Sequence, residues 1–104
     1  MDRKLELYQA IAQDLINDYA RYQPSLGEIE LQAIANNNHY LLMSFGWNGD
    51  RRVHSTILHL RIVEGKFWIE RDETEEGITQ DLLNRGIPKH DIVLAFYPVP
   101  KIEN

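Results

Sequence analysis

The stretch Arg52-Val-His-Ser-Thr-Ile-Leu-His-Leu-Arg-Ile-Val63, then Glu64-Gly65, then Lys66-Phe-Trp-Ile-Glu-Arg-Asp72 decides the fold. Two β-rich runs are separated by two residues ending in Gly, and Glu-Gly suits the type I′ turn of a two-residue hairpin. With that loop Val63 faces Lys66, Ile62 faces Phe67 and Leu60 faces Ile69 on one side. Arg61 then faces Trp68 and His59 faces Glu70 on the other, because side chains alternate with period two. One side of the hairpin is apolar and the other mixed, so the rest of the chain must cover or extend the apolar side.

Working toward the N-terminus, Gly46-Trp47-Asn48-Gly49-Asp50 reads as a second turn, with Asn48-Gly49 as its two-residue loop. That register sets Met43 opposite His54 and Leu41 opposite Thr56. Asn36-Asn37-Asn38 reads as a three-residue loop, since Asn accepts the left-handed conformation. It pairs Ala33 with Leu41, Leu31 with Met43 and Ile29 with Phe45. Glu28 to Ala35, Tyr40 to Phe45 and the two runs above thus form an antiparallel meander in the order 1-2-3-4. Before it, residues 2–22 carry Leu5, Tyr8, Ile11, Ala12, Leu15, Ile16 and Tyr19 at helical spacing, with Asp2 as N-cap and Pro24 and Gly27 as terminators.

Beyond Asp72, Thr74-Glu75-Glu76 opens a second helix with Thr74 as N-cap. Ile78, Leu82 and Leu83 form its apolar side, and Gly86 ends it. Pro88 starts a short turn through Asp91. Ile92 to Phe96 is buried, as a short strand or an extended cover, and Pro98 and Pro100 close a frayed tail. The expected fold is α+β: one domain over residues 1–104, a four-stranded meander with both helices on one face.

Composition narrows the function. The chain has 104 residues, a net charge of −5 and no Cys. Thiolate chemistry and disulfides are excluded, and a reducing cytoplasm is the simplest location. No apolar run approaches a membrane span. Duplex DNA binding normally rests on a basic stripe, and here only Arg51-Arg52 and Arg3-Lys4 are adjacent basic pairs.

The four histidines lack metal-ligand spacing; His54 and His59, five apart on one strand, are expected on opposite faces. His59 opposite Glu70 is a candidate acid–base pair, but no nucleophile or oxyanion hole accompanies it. The acids from Glu70 to Glu76 read as solvated surface plus helix-dipole complement. No cofactor, metal or catalytic residue is expected. The face of the meander turned away from the helices collects Ile34, Tyr40, Leu42, Ile57, Arg61 and Trp68. An exposed half-apolar patch anchored by Trp, Tyr and Arg is the mark of a protein interface. Tyr40, Leu42, Ile57, Arg61 and Trp68 are therefore the candidate contact residues.

Several stretches together resemble one family. They are Gly46-Trp47-Asn48-Gly49 with Arg51-Arg52-Val53, Leu58-His59 with Ile62, Lys66-Phe-Trp68-Ile69, Asp72 with Thr74-Glu75-Glu76-Gly77-Ile78, and Gly86-Ile87-Pro88-Lys89 with Asp91-Ile92-Val93-Leu94. In order and spacing they look like the XisI family, the cyanobacterial fdxN-element excision controlling factors. The resemblance implies a small non-enzymatic accessory protein for programmed, site-specific DNA excision during heterocyst differentiation. It implies action beside a recombinase and a companion protein, XisH, of nuclease-like appearance. On this reading the sheet's back face holds XisH or a second copy of the chain. The competing reading is a recombination directionality factor touching DNA weakly through Arg51 and Arg52.

Overall fold

The computed structural model describes residues 3–21, 28–75 and 77–96. The Asp2 cap, the Pro24 and Gly27 terminators, Glu76 and the Pro98–Pro100 tail fall outside them. Helix α1 (Arg3–Arg21) is followed by strands β1 (Glu28–Asn36), β2 (His39–Asn48), β3 (Arg51–Val63) and β4 (Lys66–Asp72). Helix α2 (Ile78–Asn84), a 3₁₀ turn (Lys89–Asp91) and strand β5 (Ile92–Leu94) follow. The sheet order is β1-β2-β3-β4-β5. The antiparallel meander expected from the sequence is present, and β5 extends it to five strands by pairing parallel to β4, Phe67 opposite Ile92.

Both helices lie on the same face. Tyr8, Ala12, Leu15 and Ile16 of α1 join Ile78 and Leu82 of α2 over Leu42, Leu58, Leu60, Phe67 and Ile69 of the sheet. The Tyr8 ring stacks on Phe67, with centroids 4.9 Å apart. The two helices also meet directly: Tyr19 donates to Asp81 Oδ2 at 2.6 Å, and Arg85 reaches Asp14 and Asp18 of α1. Among the described residues no helix is long and apolar enough to cross a membrane.

The β3–β4 hairpin turns at Glu64-Gly65, with φ of +49° and +76°, and Leu60↔Ile69, Arg61↔Trp68 and Ile62↔Phe67 pair as read from the sequence. The other two turns differ. Asn37 and Asn38 alone form the first loop, both at positive φ, so Asn36 pairs with His39 and Ala33 with Leu42. The second loop is Gly49-Asp50, and Asn48 stays in the ladder opposite Arg51. A one-residue slip of register exchanges the faces of a strand. Tyr40, Leu42 and Ser44 therefore face the core, while Leu41, Met43 and Phe45 face away from the helices.

A bulge at Ile57 sets Leu42 opposite Leu58 but Met43 opposite Thr56. A second, at Glu70, sets Leu60 opposite Ile69 but His59 opposite Arg71.

Helix α2 starts later than expected, because Gly77 at φ +85° cannot continue a helix. Thr74 is not its cap. Instead Asp72, at the end of β4, accepts from the Ile78 N–H through Oδ2 at 2.7 Å and from the Thr74 N–H through Oδ1 at 2.9 Å. The carboxylate satisfies an orphan donor and complements the helix dipole. Asp72→Ala is expected to cost about 0.5–2 kcal/mol in urea unfolding, the usual range for a lost cap. The C-terminus closes as a Schellman motif: Ile87 N–H bonds Leu82 O and Gly86 N–H bonds Leu83 O, both at 3.0 Å, with Gly86 at φ +90°.

Candidate protein-contact surface

Among the described residues no helix lies on the outer face of the sheet. Residues opposite one another across strands share a face, so the register assigns its occupants. Ile34 comes from β1, Leu41, Met43, Phe45 and Trp47 from β2, and Trp68 from β4 beside Val93 of β5. Ile34 and Trp47 are 47% and 45% exposed, and the others are of intermediate exposure. The sequence supplies these large apolar side chains on both faces of β2, and only one face can be covered by α1.

Two of the five expected contact residues change sides. Tyr40 and Leu42 are 6% and 1% exposed and belong to the core beneath the helices. The one-residue error in the Asn loop placed them outward. Ile57 is the bulged residue of β3, half-buried and packed against the core cluster. Arg61 and Trp68 sit on the outer face, directly opposite each other. The side chains that sequence reasoning put in the core, Leu41, Met43 and Phe45, are the ones that take the place of Tyr40 and Leu42 outside. The signal for them was the two-residue Asn-Asn turn.

A polar fringe surrounds the apolar strip. Arg61 Nη1 bonds Glu70 Oε2 at 2.9 Å. His39 Nδ1 lies 3.0 Å from His59 Nε2. The His59 imidazole is held below its ordinary value, first by burial and then by His39, with Glu70 pulling upward and Arg61 downward. The expected His59–Glu70 pair is thus replaced: the bulge hands Glu70 to Arg61 and leaves His59 against another imidazole. The Ile57 bulge also puts His54 and His59 on one face, opposite Phe45 and Leu41, some 13 Å apart at 3.3 Å per residue. Among the described residues no group of three or more His, Cys, Asp or Glu is placed to hold a metal ion.

Arg51 and Arg52 are consecutive strand residues, so their side chains leave opposite faces. Arg52 lies over the Trp47 ring, 5.5 Å from its centroid, and donates to Gly46 O at 3.3 Å. The two arginines do not form one phosphate clamp.

Residues 1–103 match the family described as XisI protein. No curated protein matches the chain. Among solved structures, a XisI-like protein from Anabaena variabilis is 32% identical with a TM-score of 0.84, covering 90% of this chain and 88% of that one. The fdxN element excision controlling factor XisI from Anabaena variabilis is 37% identical with a TM-score of 0.75, covering 91% and 94%. The match spans the meander, both helices and the uncovered face together, and the chain belongs to the XisI family.

Proposed function

We propose that this chain is a non-enzymatic accessory factor in the control of DNA-element excision, working in the cytoplasm by being built into a complex with other proteins. The similarity to a structure described as an fdxN element excision controlling factor supports the role. The observation that carries the mode of action is the outer sheet face, whose apolar side chains the chain's own helices leave uncovered. The acidic balance of the chain points the same way, since direct grip on DNA draws its affinity from phosphate neutralisation. The other proteins of the reaction are a XisH-like companion and a site-specific recombinase, and heterocyst differentiation is the setting.

Phe45→Asp with Trp68→Ala is the test. Both side chains stand on the outer face, so the fold should persist, with a melting temperature a few degrees lower. Excision in cells and co-purification of the XisH-like companion should both fall at least tenfold, about 1.4 kcal/mol of contact energy. Unchanged excision with a folded variant would remove the proposal.

A further inference from the structure

The outer face has three properties that together select its occupant. The first is size. Strands of 9, 10, 13, 7 and 3 residues make up the sheet. At about 4.8 Å by 3.3 Å per residue they present about 700 Å². Two such faces in contact bury about 1,400 Å², within the range of a stable, specific interface. The second is composition: an apolar strip along β2, flanked by charge.

The third is how the charge is divided. Glu28 and Glu30 point outward from β1, on one side of the strip, and both are exposed. Arg52 and His54 point outward from β3, on the other side, and both are exposed. They are level with each other, because Trp47 pairs with both Glu28 and Arg52, and Phe45 with both Glu30 and His54.

We infer that a second copy of this chain covers this face, the two sheets packing face to face about a two-fold axis that runs along β2. The inference rests on reading the outer face as a contact surface, and it names what that surface touches. Rotation about an axis parallel to β2 carries β1 of one copy over β3 of the other at the same level. Glu28 then meets Arg52 of the second copy, Glu30 meets His54, and the β2 strips meet each other. An axis across the strands would instead lay β1 on β1 running the opposite way, so that Glu28 and Glu30 meet Asn36 and Ile34, or each other, and never the Arg52 and His54 of β3; the charges favour the axis along β2. Aligned sheet packing tolerates the offset of about 30° that strand twist imposes.

Charge reversal across the axis tests this. Sedimentation of the full chain should show a dimer that dissociates at least tenfold more readily in Glu28→Arg and in Arg52→Glu. The double variant Glu28→Arg with Arg52→Glu should restore most of the affinity, because each interface pair is re-formed with its signs exchanged. Phe45→Asp should give a folded monomer by circular dichroism. A dimer indifferent to Phe45→Asp, or single reversals that the double variant fails to rescue, would overturn the inference. So would a chain that stays monomeric at high-micromolar concentration. If that monomer still loses its companion protein on Phe45→Asp with Trp68→Ala, the contact-surface reading stands and only the second copy falls.

Discussion

Gly46→Ala is expected to destabilise the protein by about 3 kcal/mol or more, among the larger effects a single methyl group can have. Gly46 sits in β2 opposite Ile29 at φ +144°, a region that residues with a Cβ rarely enter. A Cβ built there would lie 1.9 Å from the Glu28 carbonyl oxygen and 2.9 Å from Ile29 Cα. Both are backbone atoms, so no side chain can swing aside, and β1 itself would have to move. Torsional strain alone is of order 1–3 kcal/mol. Loss of the first β1–β2 hydrogen bonds comes on top of it. Hydrogen exchange should show the damage at the start of β1, with amides near Glu28 and Glu30 losing protection before those of β3 and β4. If the Ala variant unfolds within 1 kcal/mol of the wild type, the close approach of β1 is wrong. The same substitution should weaken the proposed pairing of two copies, since Glu28 is the residue that would be displaced.

That crossing of β1 over Gly46 was not legible in the sequence, and the reason bears on the outer face as a whole. The β3–β4 hairpin could be read to the residue from its turn out to Leu60 and Ile69, because Glu64-Gly65 lies between two runs whose apolar residues fit one register. β2 offers no such check. Tyr40-Leu-Leu-Met-Ser-Phe45 is apolar at odd and even positions alike, so a slip by one residue keeps both faces apolar. Only the loop length fixes the register, and three successive Asn residues allow a loop of two or three. The structure uses Asn37 and Asn38, and Asn36 stays in the ladder. The existence of an uncovered apolar face was therefore legible, from two helices sharing one side of a meander. Its membership was not: Arg61 and Trp68 stand on it, Tyr40 and Leu42 do not.

The bulges at Ile57 and Glu70 leave no mark that sequence reasoning can use, since neither carries the glycine that some bulges require. Asp72 shows a different limit. Its capping role depends on where β4 ends relative to α2, a tertiary relation that hides behind the nearer and equally suitable Thr74.

Tyr8→Phe should remove about 3 kcal/mol at neutral pH, and most of that loss should disappear in acid. Tyr8 Oη donates to Asp91 Oδ2 at 2.5 Å, across 83 residues of sequence. Asp91 is 3% exposed, and its other polar contacts are Lys4 Nζ at 3.0 Å and the His90 ring at 3.6 Å. The hydroxyl, and after it the lysine, hold the Asp91 carboxyl below its ordinary 3.8 against the opposing effect of burial. Burial first, then the bond to Asp91 and its charge, push the Tyr8 phenol up to about 12. A carboxyl whose folded pKa is depressed contributes stability above its unfolded value and loses it as the pH falls through the folded one. A phenol whose folded pKa is raised contributes below about 10 and loses it between about 10 and 12. The Tyr8–Asp91 bond should thus hold a plateau from about pH 4 to 10, falling off at both ends.

Phe at position 8 keeps the stack on Phe67 but strands a buried carboxylate on one half-exposed lysine, the costly way to break such a pair. Without the hydroxyl that does most to hold it down, and still buried, the variant's Asp91 takes up a proton at higher pH than the wild type's, so in acid the stranded charge disappears. Urea unfolding of wild type and Tyr8→Phe at pH 7 and pH 3 checks this, and equal differences at the two pH values would refute the assignment. What is at stake is the closing of the sheet's far edge. Asp91 ends the 3₁₀ turn that delivers β5 to β4, and Tyr8 and Lys4 tie it to α1, so this buried carboxylate joins the first helix to the entry of β5 and fixes the border of the outer face at Val93.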